Sequence, residues 1–231
     1  MARGRTTARR RWLAAVLLVL LLAGGAGWWK ARTWQPDRDR FPVQGAWLSA
    51  ADGSVEWALL KAGGADFVYL TASEGAGYRD PGFAAGLDAS RRHKLQAGAV
   101  HVFDICAPAD GQAANYVTTV PREAGLLPPA VALALDETRC PQPPREAAMQ
   151  SELTTFLNQI ERHAGKPALL LLSPAFEKRY HMAAVIDRNL WVEGSFLEPA
   201  YPGRPWVMWT ATDRLRLPAS GRPLRWVAVR P

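Results

Sequence analysis

The sequence predicts an α/β barrel of about 190 residues, preceded by one N-terminal transmembrane helix. Three observations carry the prediction. From Phe41 onward, short strand signals alternate with helix signals. The strands are continuously apolar rather than alternating, as expected for a parallel sheet covered by helices. The number of β-α units suits a closed barrel better than an open sheet.

The N-terminal part has its own logic. Residues 1–11 form a basic tail with Arg3, Arg5, Arg9, Arg10 and Arg11. Residues 12–29 are uncharged and rich in Leu, Val and Ala, with Lys30 and Arg32 beyond them. A span of this length reaches across a bilayer, and the denser positive cluster on its N-terminal side puts the tail in the cytoplasm. This reading gives a single pass through a bacterial inner membrane, with the C-terminal domain in the periplasm. Secretion after cleavage at the small residues Ala23 to Gly27 is the competing reading. Residues 30–41 read as a linker and 42–231 as the barrel domain. The net charge of +7 is explained largely by the tail, and the remaining Lys and Arg are scattered, so nucleic acid is not expected as a partner. In either export route the two cysteines, Cys106 and Cys140, are expected to form a disulfide. No metal-ligand spacing and no glycine-rich phosphate loop is present, so neither metal nor cofactor is expected.

The barrel elements follow in order. Val43 to Ser49 is a strand, and Ser54 can cap a helix through Trp57 and Leu60 that stops at Gly63-Gly64. Phe67 to Thr71 is a strand, Pro81 opens a helix through Leu87, and Ala97 to Phe103 is a third strand. Gln112 to Val120 is helical. The stretch from Leu127 to Cys140 begins as a buried strand, in which alternation puts Ala130, Ala132, Ala134 and Asp136 on one face and Val131, Leu133, Leu135 and Glu137 on the other. Pro144 to His163 is a helix with Met149, Leu153, Phe156, Leu157 and Ile160 on one stripe. Ala168 to Leu172 is a strand and Pro174 to His181 a short helix. Leu190 to Val192, Trp206 to Trp209 and Leu224 to Val229 are the late strands.

Chemistry in such a barrel belongs at the C-terminal ends of the strands. There Gly45-Ala46-Trp47-Leu48-Ser49, Asp66 to Gly75 and Tyr78 to Phe83 resemble the opening of glycoside hydrolase family 25, the Chalaropsis-type lysozymes. Gly98 to Phe103, Gln112 to Tyr116, Leu127-Pro128-Pro129 and Trp206-Val207-Met208-Trp209 continue the resemblance in order. It implies a lysozyme-type barrel and a peptidoglycan ligand, since members cleave the β-1,4 bond after N-acetylmuramic acid.

The departures from the family pattern fall on its acidic positions. An Asp of the first strand becomes Trp47, and the Asp-x-Glu pair of the catalytic strand becomes Ala132 and Ala134. An Asp of the last strand becomes Arg225, while Glu74 remains in register. Glycoside hydrolysis needs a carboxylic acid and a second carboxylate, so this pattern implies a barrel without muramidase activity. Such a protein would serve as a peptidoglycan-binding or envelope-protein interaction module. The alternative is an active hydrolase using Glu74 with Asp136 or Asp104; a two-residue slip keeps Asp136 on the inner face but provides no partner for it. Glu74, His101, Trp191 and Trp209 are the candidate groove residues, where aromatic rings can stack on sugar faces. Each also has a structural reading: His101 as a satisfied core histidine, the tryptophans as core, and Asp104 as a cap on the loop before Cys106.

Overall fold

The computed structural model describes residues 3–136 and 138–231, with side chains from Trp12 onward. It divides into two compact units, residues 1–34 and 35–231.

The first unit is one helix, α1 (Arg3–Thr33). Its segment Trp12–Thr33 has a mean hydropathy of 1.9 and none of it is buried, so by length and composition it can cross a bilayer. Residues 1–34 contain seven basic residues and no acidic one, so the net +7 resides there and residues 35–231 are neutral overall.

The second unit is the barrel. Its strands are β1 (Gln44–Leu48), β2 (Phe67–Glu74), β3 (Tyr78–Arg79), β4 (Gln96–Val102), β5 (Ala130–Leu133), β6 (Leu169–Leu172), β7 (Asn189–Glu193), β8 (Met208–Leu215) and β9 (Leu224–Val229). The order is β1-β9-β8-β7-β6-β5-β4-β2-β3, and β1 also pairs with β2, which closes eight strands into a ring and leaves β3 as an appendage on β2. Helices α2 (Trp57–Ala62), α3 (Phe83–Arg92), α4 (Ala109–Thr119), α5 (Glu146–Ala164), α6 (Pro174–Tyr180) and α7 (Met182–Val185) follow in sequence. The apolar stripe of α5 is fully buried, and Gly165 ends that helix in the left-handed conformation.

The barrel is mixed rather than all parallel. β9 runs antiparallel to both β8 and β1. Only residues 216–223 join β8 to β9, too few for the crossover that a parallel neighbour needs. Ser54 does not cap α2, because Val55 is drawn into a bridge with Ser220 and the helix starts two residues later, behind Glu56.

One buried cluster fills the ring: Trp47, Phe67, Tyr69, Val100, Ala130, Ala132, Leu169, Leu171, Trp191, Met208 and Val227. These side chains alternate with the outward-facing positions of the same strands. Small residues on the inner face make room for large ones beside them. A Cβ at Gly98 would stand 2.3 Å from the Tyr69 ring, so the tyrosine lies where only glycine leaves space. Burial raises the Tyr69 hydroxyl far above its usual range, and its OH donates to the Pro128 carbonyl (3.0 Å).

Candidate functional site at the barrel mouth

Trp47 on β1 is the direct cross-strand neighbour of Arg225 on β9. Ala132 on β5 belongs to the same interior cluster as Trp47, and Ala134 follows it at the exposed rim. Trp47, Arg225 and Ala132 thus come from three strands, and Ala134 lies just past the end of β5.

β5 is shorter than the sequence suggested. It stops at Leu133, because the chain turns at Asp136: its Oδ1 accepts from the backbone N–H of Thr138 (3.0 Å) and Arg139 (3.1 Å). Asp136 is therefore a turn residue and not an inward strand residue. Glu137, expected on the opposite face, lies outside the described residues.

Two charge clusters occupy the mouth. In the first, the Arg225 guanidinium lies 3.7 Å over the Trp47 ring and pairs with Asp52 at 3.2 Å. The same nitrogen also reaches Ser49 Oγ at 3.3 Å. Trp47 Nε1 donates to Thr71 Oγ1 (3.0 Å), and its ring meets Trp191 edge-on at 5.8 Å. Glu193, at the inner end of β7, completes this side. Burial pushes its carboxyl above the usual value, and the nearby Arg225 partly offsets that push. Its backbone N–H donates to the Tyr201 hydroxyl, which itself donates to the Leu172 carbonyl.

In the second cluster, Arg139 contacts Glu74 and, through Nε, Asp136 Oδ2 at 3.2 Å. Glu74 faces inward because a bulge between Thr71 and Ser73 inserts one residue in β2 and resets its alternation. Glu74, Asp104, Asp136 and Arg139 rim a cavity of about 270 Å³ whose apolar wall includes Val102, Phe103 and Ala134. A larger cavity, about 320 Å³, lies beside α3 and shares Ser49 and Thr71 with the first cluster; its one acidic residue, Asp80, spends both oxygens on the N–H groups of Ala50 and Gly82.

Three candidate groove residues are not in the groove. His101 points outward from β4 and is fully buried, with its ring 4.7 Å from that of Phe156. Its Nδ1 lies 2.8 Å from Ser73 Oγ and its Nε2 3.2 Å from Gln112 Oε1. The Gln112 amide nitrogen donates to the carbonyls of Asp104 and Ala107, so Oε1 is the acceptor and Nε2 of His101 carries the proton. Gln112 Oε1 also accepts from the Asp104 N–H (2.8 Å), so His101 supports the mouth loop from behind. Burial depresses the His101 pKa from 6.5 to about 4. Trp209 likewise faces outward, packed on Phe41 and Trp206. Trp191 does face inward but is fully buried beneath Trp47 and Tyr69, so it offers no ring face to a sugar.

Asp104 caps its own loop by accepting from the Cys106 N–H (2.9 Å). Cys106 and Cys140 form the expected disulfide, with Cα atoms 5.6 Å apart, and so join the loop after β4 to the loop after β5. Sequence reasoning places Glu193 at the C-terminal end of a barrel strand, where chemistry is expected, but does not select Arg139 or Asp52. For Arg139 and Asp52 no signal existed, because each lies on a loop and acquires its partners only on folding.

A family model for Glycosyl hydrolases family 25 matches residues 48–219. An uncharacterized protein, YegX, of Escherichia coli K12 is 26% identical over 152 residues, covering 64% of this chain and 53% of the relative. The chain thus spans about half the length of the curated relatives it matches. Among solved structures, a family 25 glycosyl hydrolase from Bacillus anthracis superposes with a TM-score of 0.75 at 21% identity, covering 86% of this chain and 92% of that one. A bacterial lysozyme from Streptomyces coelicolor gives 0.71 at 19%, covering 81% and 91%. At these identities the superpositions show the fold.

Proposed function

This chain belongs to glycosyl hydrolases family 25, and from that membership we propose that it is a peptidoglycan-binding envelope protein that has lost muramidase chemistry. One observation carries the reading. The four positions where the resemblance puts family carboxylates are held by Trp47, Ala132, Ala134 and Arg225: Trp47 and Ala132 share one interior cluster, Arg225 is the cross-strand neighbour of Trp47, and Ala134 lines the mouth cavity. The Trp47–Arg225 stack and the Arg225–Asp52 pair give that side of the mouth a compensated, packed arrangement. Of the three carboxylates on the other side, Glu74 and Asp136 are engaged by Arg139, and Asp104 accepts from the Cys106 N–H. With those positions filled by Trp, Ala and Arg, the carboxylate pair that the retaining and inverting routes need is missing from the places where the family carries it. Helix α1 anchors the protein in the inner membrane and the barrel lies in the periplasm, where glycan strands are the ligand and envelope proteins further candidates.

A second reading rests on a specific observation. Glu74 and Asp136 share one guanidinium, which sets them within the roughly 5–10 Å over which glycosidase carboxylates operate. In that reading the two form a relocated hydrolytic pair. Incubating the purified chain with peptidoglycan and following turbidity separates the two. No clearing, with retention on insoluble sacculi, supports the binding protein; clearing abolished by Glu74→Gln supports the hydrolase.

A further inference from the structure

The mouth cavity is bounded by groups from three separate segments: Glu74 at the end of β2, Asp104 after β4, and Asp136 with Arg139 after β5. Among the described residues, Arg139 crosses it, reaching from its own loop to Glu74 while still holding Asp136. Its side chain is 62% exposed, so water replaces its contacts at little cost. Its neighbour Cys140 is buried and disulfide-bonded to Cys106, which fixes the backbone from which the guanidinium reaches. The wall behind it, Val102, Phe103 and Ala134, is apolar, and the single methyl of Ala134 takes up little of the space.

We infer that Arg139 is a side-chain latch across the mouth cavity, and that an uncharged N-acetylhexosamine ring enters only when the guanidinium leaves Glu74. The inference rests on the glycan-binding reading and names a residue that regulates that same site. An exposed ion pair weakens as salt rises, whereas contacts to a neutral sugar do not. The latch therefore inverts the usual salt effect: the wild-type protein binds a neutral oligosaccharide more tightly at high salt, because its own competitor is screened.

The test is calorimetric titration of the full chain in detergent with chitotetraose, an uncharged probe, at about 0.02 and 0.5 M NaCl. Wild-type affinity is expected to rise about two- to threefold with salt. Arg139→Gln is expected to bind about fivefold more tightly at low salt, the size that follows from losing a weak exposed pair, and to show no salt dependence. Arg139→Lys, which keeps the charge, is expected to keep the salt dependence. Weaker binding by Arg139→Gln would make Arg139 a ligand contact and overturn the latch. Wild-type binding that neither salt nor Arg139→Gln alters overturns the latch alone and leaves glycan binding standing. No binding by any of the three proteins overturns both.

Discussion

Acid should loosen the barrel at a residue remote from any ligand. His101 is buried between β4 and α5 with its pKa depressed from 6.5 to about 4. As pH falls below 6.5 the unfolded chain takes up the proton and the native chain does not, so stability is lost between about 6.5 and 4. At about 1.4 kcal/mol per unit, the full depression amounts to roughly 3 kcal/mol. Glu177 and Glu193 act in the opposite direction: burial raises both, so the native state binds their protons first and gains stability as pH falls through those raised values. The net slope is therefore not the readout. Urea midpoints should be compared at pH 7, 5.5 and 4.5 between the wild type and His101→Gln, which removes the titrating ring. The wild type should lose stability relative to the variant as pH falls, approaching a slope of one proton. Equal slopes, or a His101 resonance titrating near 6.5, would refute the argument. Because Gln112 connects His101 to the Asp104 backbone, the acid-loosened protein should first show amide exchange at residues 103–106.

Three further outcomes follow from the same contacts. Arg225→Met leaves Asp52 without its cation, holding only the Ser49 N–H and Oγ; with the two side chains of the pair 27% and 16% exposed, the loss should be about 2 kcal/mol, below that of a fully buried pair, and is read by chemical denaturation. The same variant should raise the Glu193 pKa further, because it removes the nearby cation, which a carboxyl carbon titration by NMR would detect. Replacing both Cys106 and Cys140 with serine opens a link between residues 34 apart, which the chain-entropy account values at about 3–4 kcal/mol; the thermal midpoint should fall by roughly 10 °C.

The inward positions Ala130 and Ala132 of β5 were legible because its apolar run is short and enters through Pro128-Pro129; that the strand ends at Leu133, before Ala134 and Asp136, was not. The disulfide followed from compartment. The orientation of His101 and Trp209 was not legible, since barrel strands are apolar on both faces and alternation alone does not say which face is inside. The inward turn of Glu74 depends on the bulge at Ala72, which has no composition signal. The direction of β9 was missed because its apolar run reads the same in either sense; only the short 216–223 connection marks it. The Arg139–Glu74 contact joins segments 65 residues apart, and local reasoning has no access to it.

The central claim is that the mouth retains the lysozyme barrel without its chemistry. Its most direct test is dye release from labelled, insoluble peptidoglycan by the purified chain, over a pH range of about 4 to 8 that spans the usual carboxylate and histidine values. The account predicts release indistinguishable from a protein-free blank, together with retention of the chain on the same material. Release above the blank that disappears in Glu74→Gln would contradict it.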